Sequence, residues 1–307
     1  MKKSKLFGWA FVAMCFVACS SNETEEILNQ EREIKLTSSI TPLTRVTDQN
    51  LQSTQIVSGQ QIGVTIINAK SEHKNVGWAA NSSGNLTNTG STIYYGDGQA
   101  TIYAYHPYNS SWSGTDKAET FSVSTDQSSN SGYLNSDLLW ATKTASKSNN
   151  PVALTFAHKL VKINMTLTSD DINDLSNATI YVCGTNIATK FNPFTGSLSA
   201  ATTTNISDIK AGVTTNSTKV ASAIIIPQTV ANGTQLIKVV LNNKEYYYTL
   251  DKNQEFKAGS LYNYTITIKQ EKSPEITITP DNIIDWTDQG NNSGNAIASG
   301  SDMEWND

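Results

Sequence analysis

The sequence holds few residues whose types and spacing could support chemistry. Its histidines are His73, His106 and His158, and none stands at a metal-ligand spacing from another histidine, a cysteine or a carboxylate. A glycine-rich phosphate loop and a Gly-x-Ser-x-Gly nucleophile elbow are both missing from the sequence. Asp137 and Asp285 each lie beside apolar residues, but no pattern brings the two carboxylates together. We therefore expect no catalytic residue, no metal site and no cofactor, and predict that the protein is not an enzyme.

A cysteine near the N-terminus lies in a context that predicts lipidation. Three lysines precede an apolar stretch from Leu6 to Val17, which is too short to anchor a protein stably across a bilayer. The stretch ends in Phe16-Val17-Ala18-Cys19, which is similar to a bacterial lipobox. We expect residues 1–18 to be a signal peptide and Cys19 to carry lipid. Since each buried acyl methylene contributes about 0.8 kcal/mol, two or three acyl chains would give a lasting membrane anchor. The alternative is an ordinary signal peptide with an incidental cysteine.

The charge balance argues against nucleic acid as a partner. The formal net charge is -5, and removal of the lysine-bearing leader makes the mature chain more acidic still. Phosphate binding requires clustered lysine and arginine. Glu23, Glu25 and Glu26, soon after Cys19, resemble the surface-export signal of lipoproteins from Gram-negative gut and oral anaerobes. We expect a lipid-anchored outer-membrane precursor that reaches the cell surface.

Alternating apolar and polar residues predict strands along most of the chain. Ile62, Val64 and Ile66 share one face of such a run, and helical periodicity is weak everywhere. Asn242-Asn243-Lys244 predicts a hairpin turn. Period-two alternation with polar turns is typical of an all-β sandwich. Cys183 lies in a strand-like run, so we expect a buried structural thiol.

The 307 residues suffice for two ordinary domains. We place the domain boundary in the polar break at residues 145–151. This gives a lipidated propeptide with the first strand at 19–45, an N-terminal β-sandwich at 46–150, and a C-terminal β-sandwich at 151–307 that ends in a flexible polar tail.

Arginine occurs only near the start of the chain, at Arg32 and Arg45. An arginine-specific protease could therefore cut the protein only there. Arg45 follows the first candidate strand, so a cut at this point removes one strand and leaves the rest of the chain intact. The alternative is a low use of arginine that arose by chance in a lysine-rich composition.

Several short stretches together carry a family resemblance. They are Thr44-Arg45, Ser58-Gly59-Gln60-Gln61-Ile62-Gly63-Val64, Tyr103-Ala104-Tyr105-His106-Pro107-Tyr108, Asp137-Leu138-Leu139-Trp140-Ala141, Leu154-Thr155-Phe156-Ala157-His158-Lys159-Leu160, Ile226-Pro227-Gln228, Phe256-Lys257-Ala258-Gly259-Ser260-Leu261-Tyr262-Asn263-Tyr264 and Ile284-Asp285-Trp286. In order and spacing they resemble the fimbrillin family of anaerobic Gram-negative bacteria. The resemblance implies two tandem transthyretin-like (Greek-key) β-sandwiches, and cleavage between Arg45 and Val46 by an arginine-specific protease.

The resemblance also implies a structural subunit or adhesin of a cell-surface fimbria, assembled by strand exchange. Loss of a strand exposes backbone hydrogen-bonding groups and an apolar groove, which a strand of another subunit can refill. The expected plugs of the removed strand are Ile34, Leu36 and Ile40, and the candidate donor strand contains Ile276, Ile278, Ile283 and Trp286. The sequence leaves stalk, tip and anchor positions open.

The alternative function is a surface glycan-binding lipoprotein that does not polymerise. Trp78, Trp112 and Trp140 could stack on sugars if they are exposed, whereas core packing is the ordinary role of such residues. The expected partners are other fimbrial subunits, the outer membrane through the lipid, the arginine-specific protease, and a host or glycan ligand.

Overall fold

The structure is a computed structural model, and it describes residues 31–41, 54–169, 172, 174–199, 205–214, 219–269 and 275–285. Within these ranges the chain forms twenty strands and one short helix. The prediction of an all-β protein is confirmed. From Glu33 onward the described residues belong to one compact unit.

The elements follow one another closely along the chain. Those of the N-terminal half are β1 (Leu36–Ile40), β2 (Gln61–Ile67), β3 (His73–Ala80), β4 (Asn85–Asn88), β5 (Ala100–His106), β6 (Glu119–Ser122), α1 (Asn130–Ser136), β7 (Leu139–Ala145) and β8 (Val152–His158). Those of the C-terminal half are β9 (Val161–Ser169), β10 (Thr179–Asn186), β11 (Ala188–Phe191), β12 (Ile206–Lys210), β13 (Gly212–Thr214), β14 (Lys219–Ile225), β15 (Gln228–Val230), β16 (Gln235–Leu241), β17 (Lys244–Thr249), β18 (Gln254–Phe256), β19 (Ser260–Lys269) and β20 (Glu275–Asp285).

The first sheet closes on itself in the order β1-β4-β3-β2-β5-β7-β8. Strand β1 completes the closure, because it pairs antiparallel with β4 and parallel with β8. Alternate residues of these strands point inward and form the first core. Its members include Ile34, Leu36, Ile40, Ile62, Val64, Ile66, Trp78, Leu86, Ile102, Leu154 and Phe156.

The C-terminal strands build a second core between two sheets. The sheets have the orders β13-β14-β9-β19-β20 and β12-β10-β16-β17. Side chains from both sheets meet in this core, including Ile163, Met165, Ile180, Val182, Ile237, Val239, Ile266 and Ile268. Asn242 and Asn243, both with positive φ, form the turn between β16 and β17, as the sequence predicts.

The division between the two cores does not follow the polar break at residues 145–151. That break connects β7 to β8 within the first sheet, so the expected boundary at residue 150 lies between two neighbouring strands. The physical reason is that Val152, Leu154 and Phe156 alternate into the first core. After β8, the chain enters the second core at Leu160.

The segment between β5 and β7 also joins the second core. Its apolar side chains there are Trp112, Phe121, Val123, Tyr133 and Leu138. Strand β6 pairs with β11, which ties this segment to the C-terminal half. The two cores are therefore connected by interleaved chain rather than by a simple linker.

Tyr105 on β5 is the central side chain of this connection. Its ring stacks on Trp112 at a centroid distance of 4.6 Å, and its hydroxyl donates a hydrogen bond of 2.6 Å to Oδ1 of Asn75. Gly63 is its cross-strand partner on β2. A Cβ placed on Gly63 would lie 2.3 Å from a ring carbon of Tyr105, so glycine is required to let the ring pass over the strand.

We predict that Gly63→Ala destabilises the protein by about 1–3 kcal/mol, because the added methyl displaces the Tyr105 ring. Gly98→Ala is the matched control, since a Cβ there meets nothing within 4 Å. Chemical denaturation of both variants measures the effect. Equal stabilities of the two variants would contradict the proposed role of Gly63.

Candidate functional site

The candidate site is the slot between β4 and β8 that strand β1 fills. Residues Leu36 to Ile40 pair in parallel register with Val152 to Phe156 of β8. On the other edge, the N–H groups of Ile34, Ser38 and Ile40 donate to the carbonyls of Ile93, Gly84 and Thr54, at 2.8, 2.7 and 2.8 Å. Both backbone edges of β1 are thus satisfied, as in a central strand.

The inner face of β1 is buried in the first core. Ile34, Leu36 and Ile40 have exposed fractions of 1%, 2% and 2%. At about 1.5–3 kcal/mol for each buried aliphatic side chain, these three residues contribute roughly 5–9 kcal/mol to the seating of the strand. Hydrophobic burial is therefore the main force that holds β1 in its slot.

The one small polar residue on the inner face of β1 is Ser38. Its Oγ donates to the carbonyl of Gly84 at 3.1 Å and accepts from the N–H of Ile56 at 3.3 Å. Gly84 has a φ of +75°, and a Cβ there would lie 3.0 Å from the Ser38 carbonyl oxygen. The backbone at Gly84 therefore lies close against β1, and glycine suits both the conformation and the approach.

Asn150 holds the beginning of β1. Its side-chain oxygen accepts a hydrogen bond of 2.9 Å from the N–H of Lys35, and its Nδ2 donates one of 2.8 Å to the carbonyl of Glu33. The amide thereby takes the place of a backbone partner ahead of β8. The polar break that includes Asn150 is thus part of the slot.

The structure describes only some of the remaining residues of the predicted site. Ile276, Ile278 and Ile283 belong to β20, where their Cα partners on β19 are Ile268, Ile266 and Tyr262. In the sheet order β20 is a terminal strand beside β19. Cys19, Arg45, Val46 and Trp286 lie outside the described residues.

Sequence patterns did not reveal a buried polar cluster at the junction of the two cores. Asp137, which follows α1, accepts at its carboxylate from Nδ1 of His158 at 2.8 Å, and both side chains are fully buried. Its carbonyl lies 2.9 Å from Nδ1 of His106, whose Nε2 is 3.3 Å from the side-chain oxygen of Gln60. The cluster joins the ends of β5, β8 and α1. A polar residue at a strand end carries no periodic signal, so the sequence alone could not reveal it.

Burial governs the titration of His106. It lowers the pKa of His106, and the hydrogen bond to the Asp137 carbonyl opposes that effect without cancelling it. The neutral imidazole is the form that suits the folded protein.

The other reactive or aromatic residues are mainly structural. Burial, followed by the neighbouring Asp208, raises the pKa of the Cys183 thiol to about 12, so the thiol stays protonated near neutral pH. Trp78 and Trp112 are buried, at 2% and 7% exposed, contrary to the exposure that sugar stacking requires. Trp140 is half-buried, and its Nε1 donates to the carbonyl of Pro193 at 2.7 Å.

The described part of the chain contains neither a candidate metal site nor a helix that could span a membrane. No group of three or more histidine, cysteine, aspartate or glutamate residues among the placed residues could hold a metal ion. Across the same ranges, no helix has the length and apolar character needed to cross a membrane.

We predict that Leu36→Ala lowers the free energy of unfolding by about 2–5 kcal/mol, because it leaves a cavity in the first core. Thr37→Ala, on the partly exposed face of the same strand, serves as the control and should change stability much less. Urea denaturation distinguishes the two variants. Similar losses in both would show that burial of the inner face does not hold β1.

We predict that stability decreases as the pH falls below about 6.5, at up to about 1.4 kcal/mol per pH unit for the His106 proton. The sign follows from the lowered pKa, because the unfolded chain binds this proton at a higher pH than the folded chain does. His106→Gln should flatten the dependence between pH 5 and 7, measured by denaturation. His73→Gln, which alters a histidine outside the cluster, should leave the slope unchanged; a reduced slope there would contradict the assignment.

The comparisons with known proteins agree with the architecture. A sequence model described as fimbrillin-like matches residues 44–286. A Bacteroides uniformis protein with the provisional name fimbrium subunit Fim1C is 27% identical over 319 residues, which cover 96% of this chain and 100% of the relative.

Two solved structures share the fold, and both carry the provisional description of cell adhesion protein. One, from Bacteroides ovatus, has a TM-score of 0.67 and 22% identity, and the match covers 85% of this chain and 100% of that one. The other, from Bacteroides uniformis, has a TM-score of 0.62 and 23% identity, with 84% and 98% covered. Since the family match extends over most of the sequence, this chain belongs to the fimbrillin-like family.

Proposed function

We propose that the protein is a structural subunit or adhesin of a cell-surface fimbria, and that it assembles by exchange of its first strand. The observation that carries this proposal is the position of β1. A strand from the extreme N-terminal part of the compact unit fills a central place in a closed sheet, between β4 and β8. Family membership and the name of the Bacteroides uniformis relative support the fimbrial assignment.

Cleavage between Arg45 and Val46 would turn β1 into a separable peptide. Both residues fall between Thr41 and Thr54 in the sequence, after the end of β1 and before the next described residue of the first core. Because β1 is the first strand of the closed sheet among the described residues, one cut leaves it attached by noncovalent contacts alone. Its departure would open an apolar slot with unpaired backbone groups on both sides.

The vacated slot is suited to β-augmentation by a strand of another subunit. Backbone hydrogen bonds on two edges would supply affinity, and inward pockets would supply specificity. Strand β20 is the proposed donor to a neighbouring subunit, since it lies at the end of its sheet order and pairs with β19 alone. Its detachment would uncover the edge of β19 and the part of β17 that lies against β20, and would leave the pairing of the closed first sheet unchanged.

The same proposal includes the processing of the precursor. Cys19 would hold the chain at the outer membrane through lipid until an arginine-specific protease releases the residues before Val46. The retained strand would keep the slot filled during export, which prevents premature assembly. The proposal also includes the tandem transthyretin-like β-sandwiches that the fimbrillin resemblance implies, and the C-terminal core between two sheets supports it.

The alternative function, a non-polymerising glycan-binding surface lipoprotein, has weaker support. Two of the three tryptophans on which it depends are buried. Lys159 Nζ lies 5.6 Å from the ring centre of Trp140, and a Cβ placed on Gly196 would lie 2.5 Å from a carbon of the same ring. A host or glycan ligand therefore remains a proposal without an assigned site.

We predict that protease cleavage makes the first strand exchangeable. Treatment with an arginine-specific protease should cut the purified precursor after Arg32 and Arg45. A fluorescently labelled peptide of residues 33–45 should then enter the slot, as measured by fluorescence anisotropy. Arg45→Gln should prevent uptake because β1 stays covalently attached. Arg32→Gln is the matched control and should permit it.

Two outcomes would count against this proposal. Equal uptake by the Arg45→Gln variant would show that the label binds elsewhere. A cut chain that takes up no peptide but binds polysaccharide as a monomer would favour the alternative function.

A further inference from the structure

We propose that a polar notch at Ser38 selects the strand that fills the slot, and that this strand comes from a subunit of different sequence rather than from a second copy of this chain. This inference rests on the proposed strand exchange and specifies its partner. The notch consists of the carbonyl of Gly84 and the N–H of Ile56, which the Ser38 hydroxyl joins.

The inner face of β1 defines what the slot accepts. Inward positions along the strand are occupied in order by Ile34, Leu36, Ser38 and Ile40, all buried. Ile34, Leu36 and Ile40 are large and aliphatic, whereas Ser38, at the third position, has a small hydroxyl side chain and is 8% exposed. An occupying strand therefore needs the pattern aliphatic, aliphatic, serine or threonine, aliphatic at alternate positions, running parallel to β8.

The hydroxyl at the third inward position, where Ser38 stands, satisfies a buried hydrogen-bond donor. Ile56 is 0% exposed, and its N–H donates to Ser38 Oγ. An alanine or a larger aliphatic residue at this position would leave that donor away from water without its hydroxyl acceptor. Leaving a buried donor unsatisfied costs more than the bond contributes on average. The notch therefore disfavours strands that carry only aliphatic residues on the inner face.

Strand β20 of this chain does not fit the slot. One alternate set of its residues is Ile276, Ile278, Pro280, Asn282 and Ile284. In the register that sets Ile276 at the place of Ile34, Pro280 stands at the notch and Asn282 replaces Ile40. The inward residues Ile34, Ser38 and Ile40 each donate an N–H to the neighbouring backbone, and proline has none to donate. Every four consecutive members of the other alternate set, which runs from Glu275 to Asp285, include Asp281 and would place its carboxylate in an aliphatic interior.

The reverse direction gives no better match. With Ile278 at the place of Ile40, Pro280 stands at the notch and Asn282 replaces Leu36. A strand that fails in both directions leaves the slot to a different polypeptide. The chain would then accept one kind of neighbour at β1 and donate to another, which makes the assembly heteromeric at this contact.

Competition on the protease-cut full chain tests the inference. Unlabelled peptides compete with labelled peptide 33–45 for the slot. The Ser38→Ala peptide should bind about tenfold more weakly than the natural sequence, and Ser38→Thr should recover most of the affinity. Thr37→Val is the matched control, since it removes a hydroxyl from the partly exposed face and should bind within about twofold. A peptide of residues 275–286 should not displace the label.

The outcomes separate this inference from the function on which it rests. Failure of the natural 33–45 peptide to enter the slot would overturn the strand-exchange function, and the partner assignment with it. Entry of the natural peptide together with equal binding by Ser38→Ala would overturn the notch alone. Displacement by the 275–286 peptide would show that a second copy of this chain is the occupant. In the uncut protein, Ser38→Ala should lower the midpoint of thermal unfolding more than Thr37→Val does; equal midpoints would also contradict the notch.

Discussion

The parallel pairing of β1 with β8 is the contact on which the first sheet depends. The two strands are separated by more than a hundred residues in sequence, yet they close the ring over five aligned positions. A parallel neighbour cannot be joined by a tight turn, so β1 reaches its place by a long connection rather than through a hairpin. Its position is therefore maintained by hydrogen bonds and burial, and only one peptide connection continues it into the remainder of the sheet.

Strand β1 has the hydrogen bonding and burial of a central strand without the usual chain connections to other strands at both of its ends. A strand at the centre of a sheet is normally difficult to remove because chain leaves it at both ends and hydrogen bonds flank it on both sides. Strand β1 has the hydrogen bonds and the buried face, but it precedes all other strands of the unit. The burial contribution of its three aliphatic side chains, before the cost of ordering the strand, is comparable with the whole stability of an ordinary domain. The slot is consequently stable when filled and strongly apolar when empty.

The rest of the molecule is arranged so that the loss of one strand need not disrupt both cores. Tyr105 stacks on Trp112, and Phe191 lies at the edge of the Tyr105 ring. Gln127 adds a reciprocal pair of hydrogen bonds with the backbone of Ile224. These contacts involve β5, β11 and β14 and lie in the second core or beside it, away from the inner face of β1. The proposed departure of β1 would therefore leave these contacts in place.

Sequence reasoning identified the strands because period-two alternation follows directly from one-sided burial. It also selected Ile34, Leu36 and Ile40 as residues of an inward face, and these are buried. The packing of the segment between β5 and β7 was harder to predict. Trp112 and Phe121 pack into the core of the other half, and local sequence patterns do not encode such a contact. Helix α1 has seven residues and depends on the Ser129 cap, whose Oγ accepts from the Gly132 N–H, so it has too few turns to show a helical period.

Ser38 illustrates why a buried polar residue can be retained in a face that otherwise consists of aliphatic side chains. An aliphatic residue would bury more apolar surface, but it would leave the Ile56 donor without the Ser38 oxygen. Three aliphatic positions supply strong but weakly selective attraction, because many hydrophobic strands share that pattern. A single hydroxyl position adds discrimination, since the penalty for an unsatisfied donor falls on every strand that lacks it. Strength and selectivity in the slot thus come from different residues of the same face.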